Sequence, residues 1–327
     1  MLRLDFINVG YGDAVLIRDL SAPFCMLVDC GDVHVGSGGD RSRRISAAHF
    51  LKRSGIQKLD LLVVTHLHRD HVGGLAQVVS FVSVAKFWCN VLPPLEYRGK
   101  QLPVPAACPD GARCLIEAVN VLQDALAMMQ RQGTQVMWGE MLQDRAQLTP
   151  DLNLILAAET DLNRRQYAVW QQVFAGGADA ALLMDLDQWI NDTSLRLRLN
   201  FGRQRVMLPG DVRAVYWINR DPQPCDILKL PHHGHLDGMH SELLDRLKPA
   251  DVVISVSNSR TDACPAPDIV RMLITAGSRV HFTDAVRCVQ QPPEYRHAVR
   301  FELDGEGGVQ QQSFVFEEAN GIGSDAG

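Results

Sequence analysis

Hydrophobic and polar residues alternate along the first part of the chain, as they do in half-buried β-strands. The alternation predicts antiparallel strands over 2–9, 13–19 and 24–29. A Gly-, Asp- and Arg-rich stretch at 31–44 then predicts a loop. Because this loop follows the strand that ends at Asp29, we expect it to border the active site.

Helical and extended patterns alternate along the rest of the chain. Apolar residues recur at helical spacing over 113–131, which predicts an amphipathic helix that ends at Gly133. Further helices are predicted at 45–53, 163–174, 243–247 and 269–276. Further strands are predicted at 59–65, 84–89, 152–157, 195–200, 206–208, 227–230, 252–256, 279–283, 298–303 and 309–317. The pattern indicates an α/β fold built of two sandwich halves.

The stretch between 91 and 112 interrupts this pattern. It contains five prolines, which forbid a long regular element there. We therefore expect a loop or lid, followed by the 113–131 helix.

The segment HLHRDH at 66–71 carries the strongest chemical signal. Residues i and i+2 of an extended chain point the same way, so His66 and His68 can bind one ion together. Asp70 and His71 follow the turn of the chain and can face a second ion. Zinc accepts imidazole nitrogen and carboxylate oxygen, which favours a metal site. The alternative is a polar strand-to-helix loop whose histidines only cap and solvate.

At this segment the chain resembles the metallo-β-lactamase superfamily, whose members share an H-x-H-x-D-H motif. Further segments resemble its ComEC-like branch, the hydrolase domain of DNA-uptake competence proteins. These segments are DFINVGYGDAVLI (5–17), LVDCG (27–31), NDTSL (191–195), LPGD (208–211), LKLPHHG (228–234), ISVSN (254–258) followed by Pro265, and VHFTD (280–284). The resemblance implies an αββα sandwich of the metallo-β-lactamase type, forming a single hydrolase domain over 1–327 with 91–150 as its cap.

Further ligands are needed to complete a two-ion site. Asp211, after Pro209-Gly210, is our candidate for a carboxylate that bridges cations ~3.5–4 Å apart. Taken alone it would be read as an Asp in a Gly-Asp turn. His232 and His233 are neighbours that point to opposite faces, so we expect one of them to bind metal. We favour His233 as the ligand and His232 as a substrate contact or proton donor, and the reverse assignment stays open.

The chain departs from the superfamily at 191–194, where most members supply another histidine. Asn191 and Ser194 stand there, as they do in the ComEC-like branch, and are expected to lie beside the metals or the substrate. One ligand fewer beside His66 and His68 implies weaker binding, more metal-bound water or a harder ion, so both Zn²⁺ and Mn²⁺ fit.

Two other residues receive roles from the same resemblance. His235 replaces the serine of the family's HHGS, as a third ligand, a phosphate contact or part of a solvated loop. Asp29 is expected to hold the histidine loop by hydrogen bonds to a metal ligand.

Composition and charge restrict the function class less than the motifs do. The 327 residues are 46% hydrophobic and carry a formal net charge of −6, whereas generic duplex-binding proteins are usually basic. Two divalent cations would bring the sum to −6 + 4 = −2, so a nucleic-acid substrate stays open. No apolar run approaches the ~18–20 residues of a membrane span, and the first residues lack a secretory signal. We therefore expect a cytoplasmic protein; its oligomeric state is not predicted.

These features together predict a metal-dependent hydrolase that uses a metal-bridging hydroxide. Asp70 would orient the hydroxide as well as bind metal, and His232 or His235 would protonate the leaving group. The resemblance favours a phosphodiesterase or nuclease. The alternatives are hydrolysis of a small ester, lactone or thioester, and a non-catalytic module that binds metal.

Overall fold

Two β-sheets stacked face to face form the centre of the molecule. The computed structural model describes residues 1–36, 42–176, 179–257, 264–286 and 295–317. The strands of the first sheet are β1 (Leu2–Ile7), β2 (Val15–Asp19), β3 (Phe24–Val28), β5 (Leu61–Val64), β7 (Lys86–Cys89), β8 (Gln135–Trp138), β16 (Ala298–Leu303) and β17 (Val309–Phe314). Those of the second are β9 (Arg145–Gln147), β10 (Leu152–Ala157), β11 (Arg196–Phe201), β12 (Gln204–Leu208), β13 (Ile227–Lys229), β14 (Asp251–Ile254) and β15 (Arg279–Phe282).

The order of the strands differs from their order along the chain. The first sheet runs β17-β16-β1-β2-β3-β5-β7-β8 and the second β15-β14-β13-β12-β11-β10-β9. Two further short strands, β4 (Lys58–Leu59) and β6 (Ser83–Val84), pair with each other. The amino-terminal strands therefore meet the carboxyl-terminal hairpin within one sheet, since β1 pairs with both β2 and β16.

Helices cover the outer face of each sheet. They are α1 (Ala47–Arg53), α2 (Arg69–Val72), α3 (Leu75–Phe81), α4 (Asp110–Gln132), α5 (Thr160–Gly176), α6 (Ala180–Asp187), α7 (Ala214–Trp217), α8 (Ser241–Leu247) and α9 (Pro267–Thr275). None of these helices, which lie in the described ranges, is both long and apolar enough to cross a lipid bilayer.

Three apolar cores separate the four layers. Val63 of β5 and Leu197 of β11 lie in the core between the sheets. The neighbouring residue Leu62 points the other way and packs in the core that contains Leu122 of α4. A third core, with Leu228 of β13, lies between the second sheet and helices α8 and α9. This arrangement confirms the predicted α/β fold with αββα layers.

Parallel pairing places the chemically interesting loops at one end of the sandwich. β3 pairs in parallel with β5, and β12 with β13. Asp29 follows β3, His66 follows β5, Asp211 follows β12 and His233 follows β13. The carboxyl ends of parallel strands lie at the same edge, so these four loops are brought together there.

The segment 91–150 contributes a strand to each sheet and a helix to the helical layer. Its strand β8 pairs with β7 at the edge of the first sheet, and β9 pairs with β10 at the edge of the second. Helix α4 packs on α3 in the main helical layer. The stretch from 91 to 109 is irregular apart from one short turn, Leu95–Tyr97, as its prolines predicted, and α4 begins at Asp110. A role of 91–150 as a cap over the cleft stays a prediction.

The boundaries of most predicted elements agree with the structure. The predicted strands 152–157 and 298–303 have the same bounds as β10 and β16. Helix α6 was missed. Residues 37–41 of the predicted 31–44 loop, and Asn258 of the 254–258 segment, lie outside the described residues.

Candidate active site

Asp29 anchors the start of the histidine segment. Its backbone is left-handed, with φ 57°, at the point where the chain leaves β3. The carboxylate accepts hydrogen bonds from the Thr65 amide at 2.7 Å and the Thr65 hydroxyl at 2.8 Å. These bonds hold the backbone directly before His66.

The same carboxylate contacts His71, which lies on the single-turn helix α2. Asp29 Oδ2 is 2.8 Å from His71 Nδ1, and Asp211 Oδ2 is 3.1 Å from the other ring nitrogen, Nε2. Burial opposes a charge on His71, but Asp211, Asp29 and nearby Asp70 outweigh it and raise its pKa well above the usual range. Burial raises the pKa of Asp29, although His71 opposes that shift. Asp29 thus occupies the position from which a carboxylate fixes a ligating imidazole.

Asp211 enters the site from a tight turn after β12. Gly210 has φ +60°, and a Cβ there would lie 2.8 Å from Ser194 Cβ and Oγ, so a larger residue would displace Ser194. The Asp211 amide donates to Ser194 Oγ at 3.1 Å. Burial raises the pKa of Asp211, but His233, Lys229 and His71 outweigh it and hold that pKa well below its usual range.

His233 completes the buried side of the site. It follows β13 in the turn Pro231–Gly234, where His232 and His233 have left-handed φ angles of 49° and 52°. His233 Nε2 lies 3.1 Å from Asp211 Oδ2 and 3.2 Å from Asp70 Oδ2. Burial opposes a charge on this imidazole, but Asp211 outweighs it and raises the pKa of His233 to about 9.

Four side chains therefore converge, and we call them the Asp211 group: Asp70, His71, Asp211 and His233. One ligand atom from each lies within 4.8 Å of the others. Neither ring nitrogen of His233 makes a hydrogen bond of suitable geometry to a described residue, although Nε2 lies beside two carboxylate oxygens. Oδ1 of Asp13 is likewise buried without a hydrogen bond among the described residues. Buried polar atoms are normally satisfied, so these orphaned atoms and the nitrogen and oxygen donors fit a divalent cation.

A second cluster, which we call the His66 group, consists of His66, His68 and Asp187. His66 Nε2 and His68 Nδ1 lie 3.3 Å apart, so both nitrogens can face one ion. His68 Nε2 is 3.3 Å from Asp187 Oδ1 at the end of α6. Burial, together with His71 and His68, holds the pKa of His66 well below its usual value, which favours the neutral imidazole that binds metal.

The two clusters differ in their number of donors. Among the described residues, the ligand atoms of the His66 group and the carboxylates of the Asp211 group do not form one set in which all atoms lie close to one another. The predicted division between His66/His68 and Asp70/His71/His233 therefore matches the spacing of these side chains. Their metal binding stays a prediction.

The predicted proton donors lie at the rim of the site. His232 Nδ1 is 2.7 Å from Asp237 Oδ1, and His232 Nε2 is 3.3 Å from Asn191 Nδ2. The His232 and His235 rings stack at 4.4 Å, and His235 Nε2 lies 3.3 Å from the Tyr11 hydroxyl. Burial raises the pKa of Asp237, but its hydrogen bond with His232 outweighs burial and lowers it.

Four residues at the site were missed or left without a role by the sequence reasoning. Asp187 has no motif around it, and only folding brings α6 beside His68. Asp237 lies close after the HHGH segment, and Asp13 lies inside the 5–17 segment. Lys229 is a lysine within an apolar strand, which is itself a signal because a buried charge requires a partner.

Residues 7–97 match the family model of the metallo-beta-lactamase superfamily. The match supports that superfamily. It includes the 66–71 segment and ends before Asp211 and His233. A comparison with curated proteins found no match. The ComEC-like branch stays a prediction.

Solved structures with a similar fold include three whose names describe the same superfamily or a metal. Tm1679, described as a metal-dependent hydrolase of the beta-lactamase superfamily, has 11% identity and a TM-score of 0.47, covering 93% of this chain and 99% of its own. YhfI from Bacillus subtilis, a metallo-beta-lactamase fold protein, has 10% identity and a TM-score of 0.45, covering 86% and 96%. Zn²⁺-bound PqqB from Methylobacterium extorquens has 11% identity and a TM-score of 0.45, covering 93% and 100%.

Proposed function

We propose that this chain is a metal-dependent hydrolase that cleaves phosphodiester bonds. The observation that carries the proposal is the Asp211 group, whose four buried or half-buried donors converge while neither nitrogen of His233 makes a hydrogen bond of suitable geometry to a described residue. A merely structural cluster would be expected to satisfy its buried nitrogens.

The proposed site has two sets of residues: those that would bind metal and those that position the metal-binding side chains. Asp70, His71, Asp211 and His233 would bind one divalent ion, and His66 with His68 a second, either Zn²⁺ or Mn²⁺. When bound, such ions supply a water of lowered pKa and neutralise charge that develops on the substrate. Asp29 orients His71, and Ser194 fixes the backbone of Asp211.

His232 is the proposed proton donor to the leaving group. Its Nδ1–H would donate to the Asp237 carboxylate, 2.7 Å away, which orients the ring. His235 stacks on His232 and would contact the substrate. Because the His232 side chain is 20% exposed, a substrate can approach it from the solvent side.

A phosphodiester is the favoured substrate class because of the ComEC-like segments and the proposed pair of ions. Paired divalent ions suit in-line displacement at phosphorus, where they stabilise both the attacking and the leaving oxygen. Nucleic acid is one such substrate. The net charge of −6 means that attraction of a polyanion would be local to the ions and the histidine-rich rim.

Hydrolysis of bis(p-nitrophenyl) phosphate tests the proposal, with nitrocefin and a lactone as comparison substrates. We expect cleavage of the diester that requires added Mn²⁺ or Zn²⁺ and is lost in His233→Gln. His49→Gln is the matched control, since His49 lies on α1 away from the site. Cleavage of the lactone or nitrocefin alone would replace the phosphodiester assignment. Equal activity of the chelated and loaded protein would refute metal dependence.

A further inference from the structure

Lys229 is a charged residue inside the core. It ends the three-residue strand β13, all of whose residues are buried, and its side chain is 2% exposed. Removing an ammonium from water is costly unless anionic partners replace the solvent. The partners of Lys229 therefore indicate what it does.

Two carboxylates of the active site surround this ammonium. Lys229 Nζ forms an ion pair with Asp13 and lies 3.1 Å from Asp211 Oδ1. Burial opposes the charge on Lys229, but Asp13 and Asp211 outweigh it and raise its pKa above the usual range. Asp13 in turn lies beside the ligand histidines, with Oδ1 at 3.8 Å from His233 Nδ1 and Oδ2 at 3.8 Å from His71 Nδ1.

The two oxygens of Asp211 consequently have different partners. Oδ1 accepts from Lys229 Nζ and also from the His232 amide at 3.1 Å. Oδ2 faces His71 and His233, each at 3.1 Å. Lys229 thus contacts the side of the carboxylate that points away from the proposed cation.

We propose that Lys229 is a positioning residue and built-in counter-ion that holds Asp13 and Asp211 in place, so that Asp211 offers Oδ2 alone to a divalent cation. The ammonium compensates the buried carboxylates before any metal binds. The Asp211 group is therefore assembled in the metal-free protein. Asp211 was expected to bridge two cations, and in this proposal only its Oδ2 atom is available to bind metal.

This inference rests on the proposed function only in requiring that a divalent cation binds at the Asp211 group. A merely structural lysine would contribute equally with and without metal. A counter-ion whose role a cation can share contributes more to the metal-free protein, because metal and ammonium compensate the same carboxylate. The informative quantity is therefore the stability lost in a Lys229 variant without metal, compared with the stability lost with metal.

The test compares wild type, Lys229→Met and the control Lys86→Met, an exposed lysine on β7. Thermal melting is measured with and without saturating Mn²⁺, and bound Mn²⁺ is counted by electron paramagnetic resonance. We expect metal-free Lys229→Met to melt on the order of 5–10 °C lower than wild type, and Mn²⁺ to recover much of that loss. At saturating Mn²⁺ we expect kcat to fall roughly 10–100-fold with little change in KM. Lys86→Met should match wild type.

A second variant separates the counter-ion role from loss of packing. Lys229→Met with Asp13→Asn removes one unpaired carboxylate, so it should melt higher than Lys229→Met alone when metal-free. Equal Mn²⁺-induced shifts in wild type and Lys229→Met would overturn the proposal, as would failure of Lys229→Met to fold even with Mn²⁺. A wild-type protein that binds Mn²⁺ but cleaves no diester would refute the proposed function and leave this inference standing.

Discussion

The Asp211 group and the His66 group lie side by side, yet they are built differently. The Asp211 group collects donors from three separate parts of the chain: α2, the turn after β12 and the turn after β13. The His66 group has two histidines from one short segment and a carboxylate from α6 that contacts only the far nitrogen of His68. The Asp211 group is thus a closed set, in which all donors lie close to one another, whereas the His66 group is an open set with fewer donors.

This difference gives the two halves of the site different expected properties. A closed set of nitrogen and oxygen donors favours a tightly held cation, whereas an open set leaves positions for water or substrate. We therefore expect the ion of the His66 group to exchange more readily. The superfamily resemblance implies a histidine at 191–194, where this chain has Asn191 and Ser194, so the His66 group would have one donor fewer.

The largest expected effect comes from removing a donor of the closed group. Asp70→Ala should lower kcat for the diester by about 10³-fold or more, because in the proposed mechanism Asp70 would serve both the cation and the attacking water. Circular dichroism and melting should remain close to wild type, since Asp70 lies on a short helix at the edge of the fold. Near-normal turnover with added Mn²⁺ would show that Asp70 is dispensable and that the two groups differ less than we infer.

A smaller effect is expected in the open group. Asp187→Asn removes the carboxylate that orients His68 and should weaken the more loosely held ion by roughly 10–100-fold, as outer-shell partners of metal ligands do. Competition with a chromogenic chelator would measure both dissociation constants. The Asp211 group should keep its affinity in this variant. Weakening of both ions alike would mean that Asp187 acts on the whole site.

The smallest effect concerns the metal-free protein and its pH dependence. The pKa of His233 is raised to about 9, so its contribution to stability is complete below the unfolded value of about 6.5 and is lost as pH rises through about 9. We expect the free energy of unfolding to fall by on the order of 1 kcal/mol over that window through His233. Buried thiols such as Cys225, whose pKa burial raises to about 12, add a decline of the same sign.

Urea unfolding of wild type and His233→Gln between pH 6.5 and 9 separates these contributions. The slope against pH should be shallower in the variant, because the His233 part is lost while the part from His71, whose pKa is also raised, remains. An identical slope in both proteins would show that His233 is not paired with carboxylates when metal is absent.

The sequence predicted the layers and most elements because apolar periodicity determines them locally. Strand β10 and the long helix α4 each have a clear pattern and were placed with small errors. Strands β8 and β9 have three or four residues and half-exposed sides, so their pattern is too short to recognise. What they pair with depends on the rest of the sheet, which explains why these two strands were not predicted.

The candidate site was predictable where residues cluster in the sequence. The HLHRDH segment and the HHG turn can be recognised from the sequence alone, and in the structure both lie beside Asp211. Asp187 lies far from both segments along the chain and has no such signal. Lys229 was visible as a lysine in an apolar strand, but its partners are set by the pairing of β12 with β13.

Anomalous diffraction from crystals grown with Mn²⁺ tests the central claim most directly. We predict a strong anomalous peak enclosed by Asp70, His71, Asp211 and His233, and a weaker one beside His66 and His68 that disappears first on dilution of the metal. Asp211 should approach the strong peak through Oδ2 alone. A crystal saturated with Mn²⁺ that shows no peak within the Asp211 group would contradict the account.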